Sequence, residues 1–474
     1  MEKKTIILYP SPGIGHLVSM VELAKLILNR EPSYSIIIFI SSAPYSTGSS
    51  APYISHVSAT TSGISFHHLP VLVLPPNTFS SFEEIAYKIP QLNNPNLKLA
   101  LQTISKESSD LKAFIIDFFC TAAVEVSSNL EIPTYFFFTS GSSAMCQFLY
   151  LPTLHETITQ KDLQDPNTYV HIPGIPPIHS LDLPKVLSNR STVLYKELIN
   201  TANQMAKCSG ILINAFETLE PKAVKALKEG LCTPGMPTPP VYCIGPLIAS
   251  GDKGNGNNAH GHEILTWLNS QPSKSVVFLC FGSLGTFKED QLKEIAIGLE
   301  NSGHRFLWVM KSPPIDDKTK RFLPPPEPDF NVLLPEGFLE RTKERGVIVK
   351  SWAPQLAILN HDAIGGFVTH CGWNSVLEAI CGGVPMLAWP LYAEQRVNRV
   401  CMVEEMKVAL PLEESVDGFV MASEIEKRVK ELVDYESSEA IRDQVKIMSE
   451  KAKTAVAVSG SSHDALTKLL DGWK

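Results

Sequence analysis

The chain opens with a succession that leaves few folds open to it. Residues 5–9 (TIILY) form a continuous apolar run, residues 10–16 (PSPGIGH) break it with Pro and Gly, and apolar residues then recur at helical spacing. An apolar run without alternation marks a strand covered on both faces, as in a parallel sheet. Leu17, Met20, Val21, Leu23, Ala24, Leu26 and Ile27 make the apolar stripe of a helix over 17–29, and residues 35–40 (SIIIFI) make a second covered strand. Strand, glycine turn, helix and strand together are one βαβ unit. Similar runs follow at 113–116, 134–138 and 210–214.

The pattern then restarts. Residues 275–281 (SVVFLCF) predict a strand, Gly282-Ser283 a turn, 290–300 a helix and 306–310 a strand. Strands at 347–350, 364–369 and 386–389, a helix at 375–381 and helices from 422 onward complete the series. A chain of 474 residues is too long for one core. The expectation is an α/β protein of two Rossmann-like, doubly wound parallel-sheet domains facing a cleft, with ligands at the carboxyl ends of the strands. The N-terminal domain is placed at 1–247, a Gly- and Asn-rich linker at 248–262 and the second domain at 263–455. A C-terminal helix over 456–474 is expected to pack back on the first domain. Residues 311–331 read as a polar, Pro-rich surface loop.

Composition narrows the function classes. The net charge of −8 supplies no basic excess for a phosphate backbone, so nucleic acid is not the expected partner. The nine cysteines are scattered, odd in number and without CxxC spacing, which fits reduced thiols better than a disulfide framework or a zinc site. The run at 5–9 is too short for a signal peptide or a membrane span. A cytosolic enzyme, monomeric and without a membrane span, is the expectation.

Chemistry-bearing residues concentrate in residues 352–395, WAPQLAILNHDAIGGFVTHCGWNSVLEAICGGVPMLAWPLYAEQ. Stacking groups, hydrogen-bonding groups and glycine turns crowd here beyond what a core segment needs. This box resembles, almost position for position, the signature box of the plant family 1 UDP-glycosyltransferases, and the resemblance runs from His16 to the C-terminal helices. It implies the GT-B fold, a UDP-sugar co-substrate and no metal cofactor. Trp352 would stack uracil. Ala353, held extended by Pro354, would pair with the base edge, and Gln355 would contact the nucleoside. Glu378 would bind the ribose hydroxyls. His370, Asn374 and Ser375, at a helix start after a strand, would meet the diphosphate, where free amides and the helix dipole favour an anion. Ser283 matches a position near the phosphates. Thr139, Trp373, Tyr392, Glu394 and Gln395 match positions near the sugar, and Gln at the last position goes with glucose donors.

In the first half, Gly13-Ile14-Gly15-His16 lacks the third glycine of a dinucleotide fingerprint, since Val18 stands there. What remains is a glycine turn that presents His16 at the C-end of a strand. His16 matches the family's catalytic base, and a group titrating near neutrality suits proton removal from a hydroxyl. Asp117 ends another strand. It would either cap the segment that starts near Thr121 or orient the His16 ring, as a triad Asp does. Ile14, Phe118, Phe119 and Phe148 are candidate acceptor contacts.

The resemblance implies inverting transfer of glucose from UDP-glucose to a phenolic hydroxyl, giving a β-O-glucoside. The His turn and the region 34–39 resemble the branch acting on flavonoid-type phenols in plant secondary metabolism. Terpenoid or other small acceptors, C-glycosylation, and a non-catalytic sugar-nucleotide-binding protein stand as alternatives. An NAD-dependent oxidoreductase is disfavoured by the incomplete fingerprint.

Overall fold

The computed structural model describes residues 4–41, 50–74, 81–107, 110–249, 259–315 and 326–474. Most of the expected linker (250–258) and half of the expected Pro-rich loop (316–325) lie outside the described residues. The chain divides into two compact units, Met1–Gly254 with Thr454–Lys474, and Asn255–Lys453.

Fifteen strands occur among the described residues. In the first unit these are β1 (Lys4–Tyr9), β2 (Tyr34–Ile40), β3 (Ile64–His68), β4 (Leu111–Asp117), β5 (Thr134–Phe138), β6 (Tyr169–Val170), β7 (Ile178–His179), β8 (Gly210–Ile213) and β9 (Val241–Cys243). Seven of them form one sheet in the order β3-β2-β1-β4-β5-β8-β9, and β6 pairs with β7 apart. All pairings in the large sheet are parallel, with Ile6 beside Ile36 on one side and Ala113 on the other. The central strands β1 and β4 are covered on both faces, as their unbroken apolar runs predict: Ile6, Ile7, Leu8, Phe114, Ile115 and Ile116 are all fully buried.

The first helix runs over Ile14–Arg30, three residues earlier than its apolar stripe begins. Its buried face of Leu17, Met20, Val21, Ala24 and Ile27 packs into the core with Ile36, Ile38 and Ile115. The C-terminal helix, Ser461–Asp471, belongs to this unit and adds Leu466, Leu469, Leu470 and Trp473 to the same core. Trp473 meets Tyr34 and Tyr135 edge-on, with ring centroids 6.4 and 5.4 Å away. Ser462 Oγ donates to the Gly245 carbonyl at 2.6 Å.

The second unit holds β10 (Val276–Cys280), β11 (Arg305–Met310), β12 (Gly346–Lys350), β13 (Ile364–Thr369), β14 (Met386–Ala388) and β15 (Ala409–Pro411). They form a parallel sheet in the order β12-β11-β10-β13-β14-β15. Helices Glu289–Ser302 and Ala422–Val433 pack beside each other in its core through Leu292, Ile295, Leu299, Ile425, Val429 and Leu432.

Both sheets are doubly wound, as the repeated βαβ pattern predicts. Strands β3, β9 and β15 carry no signal in the apolar pattern. All three are outer strands: β3 reads ISFHH, with only its first residue buried, and β9 and β15 are three residues each, too short to show a run. Among the described residues no helix is long and apolar enough to cross a membrane. The nine cysteines, all among the described residues, form no disulfide.

The packing of Trp473 gives a direct test. Trp473→Ala should cost the first unit about 3 kcal/mol, in the range for large aromatic truncations. Urea unfolding followed by circular dichroism checks this; an unchanged midpoint would show that the C-terminal helix contributes no packing energy.

Candidate functional site

In a doubly wound sheet the crevice for a ligand opens where the strand order reverses. In the first unit that point lies between β1 and β4. His16 sits in the first turn of the helix that follows β1, and Asp117 is the last residue of β4. The two meet across the switch point: His16 Nδ1 lies 2.8 Å from Asp117 Oδ2. Asp117 is fully buried, while the His16 side chain is 32% exposed. A carboxylate can only accept, so Nδ1 carries the hydrogen and Nε2 becomes the basic nitrogen.

Asp117 is also a helix cap, but of an earlier segment than the one expected near Thr121. Its Oδ1 accepts from the Phe119 amide at 3.2 Å and caps the short helix Phe118–Cys120. The cap and the imidazole partner are therefore simultaneous, one per carboxylate oxygen. The cap fixes the carboxylate plane, and the plane fixes the ring.

Beyond His16 lies an aromatic group. Phe119 is edge-on to His16 with ring centroids 5.7 Å apart, and Phe118 packs on Phe119 at 4.9 Å and on Phe148 at 4.3 Å. Three of the four acceptor candidates are thus gathered. Ile14 instead packs against the core that contains Leu17 and Val18. Tyr87, which no sequence signal singles out, closes on Phe119 at 5.0 Å and Phe118 at 5.9 Å. It comes from the long helix Phe82–Glu107, where an aromatic residue carries no motif.

Thr139 follows β5 and is half-buried. The turn after it is braced by Glu220, which sequence reasoning also missed. Its carboxylate accepts from the amides of Ser142 at 2.7 Å and Ser143 at 2.9 Å, at the start of helix Ser142–Leu149. Burial pushes the Glu220 carboxyl above its usual range, against the pull of those amides.

The second unit's switch point lies between β10 and β13. Gly282 and Ser283 follow β10, and His370 follows β13. A helix over Trp373–Gly382 starts two residues before the sequence-based boundary, so Trp373, Asn374 and Ser375 form its first turn. His370 is wedged between two glycines: a Cβ on Gly282 would lie 2.5 Å from Nε2, and one on Gly372 would lie 2.4 Å from it. Neither position could carry a side chain without displacing the ring. Burial, assisted by the Lys311 charge, pulls the His370 imidazole down to about 3, so it is neutral at physiological pH. Its Nδ1 is buried without a hydrogen-bond partner among the described residues.

Around this centre stand the other residues of the box. Trp352 follows β12, is 37% exposed and offers a face to solvent. Ala353 is buried. Gln355 opens the helix Gln355–Leu359, and its Nε2 donates to Ser375 Oγ at 2.9 Å and to Glu378 Oε2 at 2.7 Å. Gln355 therefore orients Glu378 and the helix start. Trp373 is only 3% exposed, so most of its ring is core. Tyr392 lies 6.1 Å from His370 by ring centroids. Glu394 immediately precedes the helix Gln395–Val400, and Gln395 Oε1 accepts from the Leu391 and Tyr392 amides, each at 2.9 Å. With its carbonyl committed, Gln395 presents its NH2 group as donor. Ser283 is exposed. Among the described residues no group of three or more His, Cys, Asp or Glu could hold a metal.

The depressed imidazole has a stability consequence. The unfolded chain takes up a proton at His370 near its ordinary 6.5 and the folded chain does not until about 3, so stability rises with pH across that window and is lost as pH falls through it. His370→Gln should flatten the pH dependence of unfolding between about pH 4.5 and 6.5. Chemical denaturation at several pH values checks this; a slope equal to that of the parent would show that the ring is accessible to protons.

Comparison with known proteins agrees with this geometry. Residues 240–442 match the family described as UDP-glucoronosyl and UDP-glucosyl transferase. UDP-glycosyltransferase 88B1 of Stevia rebaudiana is 54% identical over 100% of this chain and 99% of its own length. An anthocyanidin 5,3-O-glucosyltransferase of a Rosa hybrid cultivar is 48% identical over 99% and 98%. A baicalein 7-O-glucuronosyltransferase of Scutellaria baicalensis is 48% identical over 95% and 99%. The solved structure of Phytolacca americana UGT2 with UDP-2fluoro-glucose and pterostilbene superposes with a TM-score of 0.87 at 35% identity, covering 100% of both chains. With two doubly wound parallel sheets and full-length relatives of this similarity, the chain belongs to the plant family 1 UDP-glycosyltransferases, enzymes of the GT-B fold that use UDP-sugars without a metal cofactor.

Proposed function

We propose that this enzyme transfers glucose from UDP-glucose to a phenolic hydroxyl of a flavonoid-type acceptor, with inversion at the anomeric carbon. The observation that carries the reading is the 2.8 Å contact between His16 Nδ1 and Asp117 Oδ2. It supports His16 Nε2 as general base and Asp117 as the group that fixes the tautomer and stabilises the imidazolium. The acceptor hydroxyl gives its proton to Nε2 as its oxygen bonds to the anomeric carbon. The bond from that carbon to the phosphate oxygen breaks, and its electron pair leaves with UDP. A single displacement on an α-linked donor gives a β-linked product.

In this reading Trp352 stacks the uracil, Ala353 and Gln355 meet the nucleoside, and Glu378, held by Gln355, takes the ribose hydroxyls. The free amides of the helix start, with Asn374, Ser375, Ser283 and neutral His370, receive the diphosphate. Thr139, Trp373, Tyr392, Glu394 and Gln395 serve the sugar. One relative is named for glucuronosyl transfer, so the sugar needs its own argument. A uronic acid carboxylate would meet the Glu394 carboxylate, while Arg396 and Arg399, beside it in sequence, both bind Glu414. A neutral hexose avoids that repulsion.

For the acceptor, the aromatic group Tyr87, Phe118, Phe119 and Phe148 beside His16 suits a flat, apolar phenol. The relatives named for anthocyanidin and baicalein, and the neighbour holding pterostilbene, support the same class. A phenol ionises more readily than an alcohol, so one His base suffices. The disulfide-free cysteines fit a reducing compartment such as the cytosol.

Two outcomes test the base. His16→Ala should lower kcat by roughly 10²–10⁴-fold, the usual contribution of a general base, while calorimetry finds UDP affinity unchanged. Lost UDP affinity would instead place His16 in donor binding. Asp117→Asn should lower kcat in the same direction and leave KM for UDP-glucose near the parent value; full activity in that variant would remove Asp117 from the mechanism.

A further inference from the structure

The donor-site reading makes no use of Lys311. This residue directly follows β11, whose last residue, Met310, is fully buried, so its backbone is fixed beside β10. The side chain is half-buried, and Nζ donates to the carbonyl oxygen of Gly282. Gly282 has φ +71°, and a Cβ there would lie 2.5 Å from His370 Nε2, as one on Gly372 would lie 2.4 Å from it. Lys311 thus ties β11 to the turn that wedges the phosphate-facing histidine.

Its charge is the unusual part. Several surface lysines of this unit find carboxylates: Lys293 pairs with Glu289, Lys343 with Glu340, Lys430 with Glu426. Among the described residues Lys311 has no carboxylate partner. The groups that sense it are His370, which it helps to keep neutral, and the Cys280 thiol. Burial pulls the Lys311 ammonium below its usual range, as expected for a cation taken partly out of water without a counter-charge. An ammonium has three donors, and the Gly282 carbonyl takes one. Lys311 is thus a half-buried cation with spare donors, held at the Gly282 turn where His370 senses its charge.

We propose that Lys311 is a charge-bearing residue of the donor site, holding the Gly282 turn with one N–H and meeting the diphosphate of the nucleoside-diphosphate sugar with its charge and remaining donors. This rests on the donor-site reading above. As the anomeric bond breaks, negative charge builds on the departing diphosphate, so the ammonium stabilises the transition state more than the bound donor.

The test uses the full-length protein with UDP and, separately, uridine as calorimetric ligands. Lys311→Met should weaken UDP by about tenfold or more, the scale of a lost charge-assisted hydrogen bond, with uridine affinity unchanged and kcat reduced. Lys311→Arg should recover most of the UDP affinity. The proposal is overturned if Lys311→Met binds UDP like the parent, if UDP and uridine weaken together, or if Arg fails to rescue. The uridine arm reports directly on whether the variant's site is intact. Failure of the parent protein to bind UDP would instead refute the donor-site reading itself.

Discussion

The hydrogen bond between His16 and Asp117 is the constraint on which the chemistry of the first unit depends. Its two members are 101 residues apart, and only the sheet brings them together. The strand order reverses between β1 and β4, so the segments leaving their carboxyl ends diverge to opposite faces and open a crevice. His16 enters from one side and Asp117 from the other. The buried cap from Asp117 to Phe119 then sets the orientation of the pair. A free histidine has two tautomers, and this arrangement selects the one with a basic Nε2.

The second unit repeats the device with different chemistry. At its own reversal, between β10 and β13, a histidine again follows a strand. Among the described residues His370 has no carboxylate partner; two glycine backbones, burial and the Lys311 charge surround it. The same residue type is thus hydrogen-bonded to a buried carboxylate in one unit and held as a neutral ring in the other. The difference lies in the surroundings: at His370 burial and the nearby Lys311 cation oppose the imidazolium. The proposed proton transfer uses the first environment and the proposed anion recognition the second.

Much of this was legible in the sequence, for physical reasons. Strands buried on both faces must be apolar throughout, so β1, β2, β4, β5 and β10 announce themselves. The outer strands β3, β9 and β15 do not: β3 has only its first residue buried, and the other two are three residues each. Roles within residues 352–395 could be assigned in advance only through the family resemblance, since a Trp, His or Gly taken singly serves a core or a turn equally well. The first helix starts three residues before its stripe, at Ile14, because an apolar stripe begins only where burial begins. Asp117 posed a choice between cap and histidine partner that one sequence position cannot resolve, and its two oxygens answer both. Glu220, Tyr87 and Lys311 stayed invisible because each acts through a tertiary contact with no local pattern.

The central claim is that a His-activated phenol attacks the anomeric carbon of UDP-glucose in one displacement. The anomeric configuration of the product tests it most directly. Incubation with UDP-glucose and a panel of flavonoid-type phenols, followed by NMR of the purified product, should show a β-O-glucoside. An α-linked product, or hydrolysis of UDP-glucose without transfer to any phenol, would contradict it.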